Sequence, residues 1–137
     1  MAIVESRYIV RTNAHRKKIA DGCVTGTLTN VKFTKIALGD GGKAPSGDLK
    51  APNGAVPQLF HKVKELPINR FQKISAFEYT AYLTVDTSIH TDLVGKDINE
   101  RAIVDAGGIY AVIETFAGFG PLQANKTYEY AIKFTVI

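Results

Sequence analysis

Phe77-Glu78-Tyr79-Thr80-Ala81-Tyr82-Leu83-Thr84-Val85 alternates without a break. Phe77, Tyr79, Ala81, Leu83 and Val85 fall on one face, and Glu78, Thr80, Tyr82 and Thr84 on the other. The chain end repeats the pattern. There Tyr128, Tyr130, Ile132, Phe134 and Val136 oppose Thr127, Glu129, Ala131, Lys133 and Thr135. A period of two in residues of high β propensity predicts half-buried strands.

Weaker strands surround these two. Asn30 to Leu38 is rich in β-branched and aromatic residues, but Ile36-Ala37-Leu38 breaks the alternation, as a bulge or a strand end would. Ala102-Ile103-Val104 and Ile109 to Thr115 flank Asp105-Ala106-Gly107-Gly108, whose glycines suit a hairpin turn. Leu59 to Leu66 fits a strand or a helix, ended by Pro67 either way, and its apolar spacing and its place before another strand favour the strand. One short helix is expected from a cap at Thr12 or Asn13 to Gly22 as its closing residue. Its basic residues then lie toward its C-terminus, where the helix dipole favours them. The order predicts a mainly β fold, an antiparallel sandwich or open sheet with one short N-terminal helix, in a single domain spanning 1–137.

Three irregular stretches interrupt the strands. Gly39 to Pro57 holds five glycines and three prolines, and it is long enough to suggest function. Ser88 to Asp97 and Phe116 to Ala124 are the others, the last containing Gly118-Phe119-Gly120-Pro121.

Composition narrows the classes. With 45% hydrophobic and 22% charged residues the chain is globular rather than disordered. No apolar run is long enough for a membrane helix. Met1 to Ser6 lacks a basic segment followed by an apolar one, so a secretory signal is not expected. The single cysteine, Cys23, forms no internal disulfide and reads as a small hydrophobic side chain in a reduced protein. The net charge of +4 is spread out, and the only dense run, His15-Arg16-Lys17-Lys18, reads as a solvated face. Neither a nucleic-acid nor a membrane partner is expected.

Sequence motifs for chemistry are absent. Gly39-Asp40-Gly41-Gly42-Lys43 has Ala37 where a phosphate loop needs its first glycine, and Ala44 where it needs Ser or Thr. It reads instead as a tight turn leaving a strand. His15, His61 and His90 have no metal-ligand spacing, and Ser46 and Ser75 lack the nucleophile elbow. No enzyme activity and no cofactor are expected.

In order, the segments resemble one family. Tyr8-Ile9-Val10 precedes the helix from Thr12 to Gly22. A strand then runs into a Gly-Asp-Gly motif, Ile36-Ala37-Leu38-Gly39-Asp40-Gly41-Gly42. Leu59-Phe60-His61-Lys62-Val63 follows a proline-containing loop. Asn99-Glu100-Arg101-Ala102-Ile103-Val104-Asp105 leads through Gly107-Gly108 to Ile109-Tyr110-Ala111-Val112. This succession resembles the N-terminal domain of tail-collar fibre proteins from contractile-tailed bacteriophages and phage-derived bacteriocin particles.

The resemblance implies a non-enzymatic structural component that joins the baseplate to receptor-binding fibres. Baseplate and tail-fibre proteins are its expected partners, with a homo-oligomer among them. It implies a protein made in the bacterial cytoplasm and assembled into a virion tail or tail-like particle. The interface candidates are Asp40, Gly41, Lys43, Tyr82, Gly95, Phe119, Pro121 and Leu122. Phe119 and Leu122 suit a protein contact, or they tuck into the core of their own chain. Tyr82 is a binding aromatic or meets the helix. The alternative is a stand-alone receptor- or glycan-binding β module, for which Tyr82, Tyr110 and Asn53 are the candidates by type.

Overall fold

A computed structural model describes residues 7–135, so Val136 and the segment before Arg7 lie outside the described residues. Among these residues the order is β1 (Arg7–Arg11), α1 (Asn13–Thr25), β2 (Phe33–Gly39), β3 (Lys62–Pro67), β4 (Arg70–Lys73), β5 (Glu78–Asp86), β6 (Glu100–Asp105), β7 (Tyr110–Phe116) and β8 (Thr127–Thr135). One sheet has the order β1-β7-β6-β2-β3 and the other β4-β5-β8. Every strand pair is antiparallel. The sheets pack face to face as a sandwich, because each has an apolar face to bury. Ile36, Leu38, Ile103, Val112 and Phe116 of the larger sheet meet Ala81, Leu83, Val85, Tyr130, Ile132 and Phe134 of the smaller one.

The two alternating stretches become β5 and β8, with one correction. Phe77 lies before β5 and is 62% exposed, so the buried face of that strand is Ala81, Leu83 and Val85. The break at Ile36-Ala37-Leu38 comes from burial on both faces of β2. Ile36 and Leu38 point into the sandwich, while Ala37 joins Ala102, Val104 and Ile113 beneath Leu59 on the outside. Register shifts at Phe33/Lys35 and Leu38/Gly39 close the strand at both ends. The β3 strand starts later than expected, at Lys62, leaving Leu59 in the preceding loop as the apolar cover of the outer face. Strand β4, Arg70-Phe71-Gln72-Lys73, gave no signal because all four residues are exposed on an edge.

The helix runs further than expected. Thr12 caps it by accepting from His15 N at 3.2 Å, and its hydroxyl donates to the Tyr110 carbonyl. Gly22 does not end it. The closing residue is Gly26, left-handed at φ 75°. Gly22 is instead a point of close approach, since a Cβ there would stand 2.1 Å from Leu28 Cδ2. The extension to Thr25 moves Arg16, Lys17 and Lys18 into the N-terminal half, where the dipole disfavours them. Asp21 offsets this by pairing with Lys17 at 2.5 Å, and Asp105 of β6 by pairing with Lys18 at 2.7 Å. Cys23, read as a small hydrophobic side chain, is exposed on α1.

His15 is the exception within the basic run, being 5% exposed, with its ring 5.6 Å from that of Phe33. Burial, then Arg11 of β1 and Lys18, push its pKa below the ordinary imidazole value, while Asp105 pulls the other way. The unfolded chain therefore binds the proton at higher pH than the folded one. Stability present near neutrality is lost as pH falls below about 6.5. Between pH 7.5 and 5.5 the urea midpoint of the wild type is expected to decline, and His15→Leu to flatten that slope. A slope unchanged by the substitution would assign the dependence to another group.

Candidate functional site

Strands β2, β5 and β7 all end at the same end of the sandwich, so the loops 40–61, 87–99 and 117–126 emerge together there. The first of these loops is held by Asn99, the last residue of the loop before β6, and Glu100, the first residue of β6. The carboxylate of Glu100, 0% exposed, accepts from Gly41 N, Phe60 N and His61 N, each at 2.8 Å. Asn99 Oδ1 accepts from Gly42 N at 2.7 Å. The Thr115 hydroxyl donates to Lys50 O at 2.7 Å and ties the middle of the loop to β7. Asp40 and His61 meet at the loop base, Oδ1 to Nδ1 2.5 Å.

Glycine at 39, 41 and 42 serves space rather than a left-handed turn. A Cβ at Gly39 would stand 2.6 Å from Glu100 Oε2, one at Gly41 2.8 Å from His61 N, and one at Gly42 2.5 Å from Asn99 O. The stretch read as a tight turn is thus the place where loop backbone comes down onto Glu100 and Asn99.

The loops are joined to one another. Lys43 Nζ lies 3.4 Å from Asp97 Oδ2, and Asp97 forms an isolated bridge with Pro121. Gly95 N donates to Leu122 O at 2.8 Å, and Leu122 N returns a bond to Lys96 O at 3.0 Å. Gly118 passes under the Ile98 carbonyl, where a Cβ would stand 2.3 Å away, and its φ of 77° also favours glycine. Phe119 then lies 5.2 Å from Tyr128 and 5.6 Å from Tyr130, ring to ring, yet remains 58% exposed. Phe60, Ile89 and Val94 add exposed apolar side chains from the neighbouring loops.

The structure therefore brings Asp40, Gly41, Lys43, Gly95, Phe119, Pro121 and Leu122 to one end. Two corrections apply. Leu122 is 2% exposed and packs in the core, so it holds its loop rather than facing a partner. Tyr82 lies elsewhere, on the outer face of the smaller sheet. The Arg70 guanidinium covers its ring at 3.7 Å and its hydroxyl donates to Gln72 Oε1 at 2.8 Å, so it meets β4 and not the helix.

The candidates for a glycan pocket do not converge. Tyr110 is on the outer face of the larger sheet, buried with its hydroxyl donating to Glu65, whereas Tyr82 is on the opposite side of the molecule. Asn53 Oδ1 accepts from Ala55 N within its own turn. Burial drives the pKa of Tyr110 and Tyr130 upward, so both stay neutral phenols. Among the described residues no group of three His, Cys, Asp or Glu side chains could hold a metal ion, and no helix is long and apolar enough to cross a membrane.

Glu100 and Asn99 are the residues that sequence reasoning missed as organisers of this end. Three polar residues, Asn99-Glu100-Arg101, immediately before the apolar run Ala102-Ile103-Val104 were the available signal. Comparison with family models, curated proteins and solved structures finds no match to this chain.

Proposed function

We propose that this chain is a non-enzymatic structural component of a phage or phage-tail-like particle, joining the baseplate to receptor-binding fibres through its loop end. The observation that carries this reading is the cross-linking of three loops into one surface bearing Phe60, Ile89, Val94 and Phe119. Ordering such loops in advance lowers the entropy lost on docking. Exposed aromatic and aliphatic side chains with a rim of Lys43, Asp40 and Lys96 suit a protein partner. The order of motifs that resembles tail-collar fibre domains supports a particle as the setting.

Immunogold labelling of particles induced from the source cells tests the proposal. Label at the distal end of a contractile tail is the expected result. Ile89→Asp with Val94→Asp changes two exposed side chains, and it is expected to cut incorporation at least tenfold while leaving the circular dichroism spectrum unchanged. Particles without label, or a variant incorporated at the wild-type level, would overturn it.

A further inference from the structure

Among the described residues strand β8 is paired on one side only, with β5. The other neighbour of β5 reveals which of its groups face outward. Asn69 N donates to Tyr82 O and Ile74 N to Glu78 O, both at 2.9 Å, so the even-numbered residues of β5 turn their backbone groups toward β4. Successive residues of a strand bond to opposite sides. Tyr79, Ala81, Leu83 and Val85 therefore bond to β8, at Phe134, Ile132, Tyr130 and Tyr128. That leaves the N–H and C=O groups of Thr127, Glu129, Ala131, Lys133 and Thr135 on the free edge. Among the described residues no other element pairs with them. No register shift interrupts the pairing from Thr127 to Thr135, so the edge is a long regular template.

We propose that this edge pairs with a second copy of the chain, β8 against β8, antiparallel about a two-fold axis through Ala131. The edge is self-complementary in this register. Glu129 and Lys133 stand two residues either side of Ala131, so Glu129 falls opposite the partner's Lys133, and Lys133 opposite the partner's Glu129. Thr127 falls opposite the partner's Thr135. The two copies of Ala131 face each other and exchange both of their hydrogen bonds. Centring the axis on Glu129 or on Lys133 instead sets like charges opposite each other. The Ala131 register also extends contacts already present. Arg70 lies 4.0 Å from Glu129, and Glu78 lies 3.4 Å from Lys133. Pairing joins these into a row of alternating sign, Arg70, Glu129, the partner's Lys133 and the partner's Glu78. It also makes one six-stranded sheet from two of three.

The seam beside this edge supports a strand lying there. Between β1 and β8, among the described residues, runs a groove of about 330 Å³ lined by Ile9, Val10, Val112 and Phe134 together with the polar Arg11, Lys133 and Thr135. Ile9 is 40% exposed in it, and an added strand covers that side chain. The surface is the side of the sandwich rather than its loop end, so pairing here does not depend on the function proposed above.

Sedimentation equilibrium of the full chain tests the pairing. The wild type is expected at twice the 14.9 kDa chain mass. Glu129→Lys and Lys133→Glu each place like charges opposite one another twice in the dimer, and each is expected to weaken association tenfold or more. Mixing the two variants restores opposite charges at both positions, so a heterodimer of wild-type affinity is expected. Ala131→Pro removes an N–H that faces the free edge and not β5, so it is expected to yield a monomer with an unchanged circular dichroism spectrum. A wild type that is monomeric at tens of micromolar would overturn the proposal. So would a trimer, a dimer indifferent to these substitutions, or two variants that fail to pair on mixing.

Discussion

Glu100→Ala is expected to destabilise the protein by at least about 3 kcal/mol, lowering the melting temperature by about 10 °C. The side chain is 0% exposed and its two oxygens accept three backbone N–H groups, from Gly41, Phe60 and His61. Bonds from backbone N–H groups to an ionised acceptor are stronger than neutral ones. Alanine removes all three at once and leaves their donors over an apolar sheet face. Nothing nearby replaces the acceptor, because glycine at 39 and 41 brings the loop backbone so close that only the carboxylate fits between. Glu100→Gln keeps one acceptor oxygen and turns an NH2 group against a donor, so its cost is expected to lie between wild type and alanine. Urea titration orders the three proteins. Limited proteolysis then separates local from global damage, with cleavage expected first within residues 40–61. A loss under 1 kcal/mol for Glu100→Ala would show that Leu59 and the Thr115 contact hold the loop unaided.

The same residue shows where sequence reading stops. Strands β5 and β8 were legible because each has one apolar face and one polar face, and a period of two survives in the letters. Strands β6 and β7 are buried on both faces, so polarity there no longer reports direction. Glu100, Arg101 and Glu114 look like surface residues by type and are interior by position. Their partners are far away in sequence. Glu100 bonds to backbone of residues 39 to 59 positions earlier, and a backbone donor has no letter of its own. The helix end was missed for a related reason. Gly22 and Gly26 are equally good closing residues locally. Only the packing of Leu28 against Gly22 shows that the first is a contact point and the second the stop. The three irregular stretches were legible as loops, and so were most of their candidate residues. Their convergence at one end required the sheet order, which strand propensity does not contain.

The Arg101–Glu114 pair carries the other large effect, and it separates stability from complementarity. Arg101 Nη2 lies 2.6 Å from Glu114 Oε1, with side-chain exposures of 10% and 0%, and the guanidinium lies 4.0 Å over the Phe116 ring. The bond is single. Among the described residues Arg101 Nε and Glu114 Oε2 have no hydrogen-bond partner, and neither does the neighbouring Tyr130 hydroxyl. Two charges have therefore been taken out of water for one strong contact. Removing one partner strands the other. Arg101→Met leaves a carboxylate with no compensating charge at 0% exposure, and is expected to cost about 3–5 kcal/mol. Glu114→Leu is expected to cost less, because the guanidinium keeps its ring contact and some access to water. The double variant Arg101→Met with Glu114→Leu is expected within about 1 kcal/mol of wild type, since well-packed apolar groups of similar volume replace a desolvated pair joined by one hydrogen bond among the described residues. A double-mutant cycle in urea measures the coupling. Full additivity of the two losses would mean that each side chain acts through its own packing. Strong coupling would mean that the sandwich tolerates this ion pair at little net gain, and that its interior would stand as firmly on apolar contact alone.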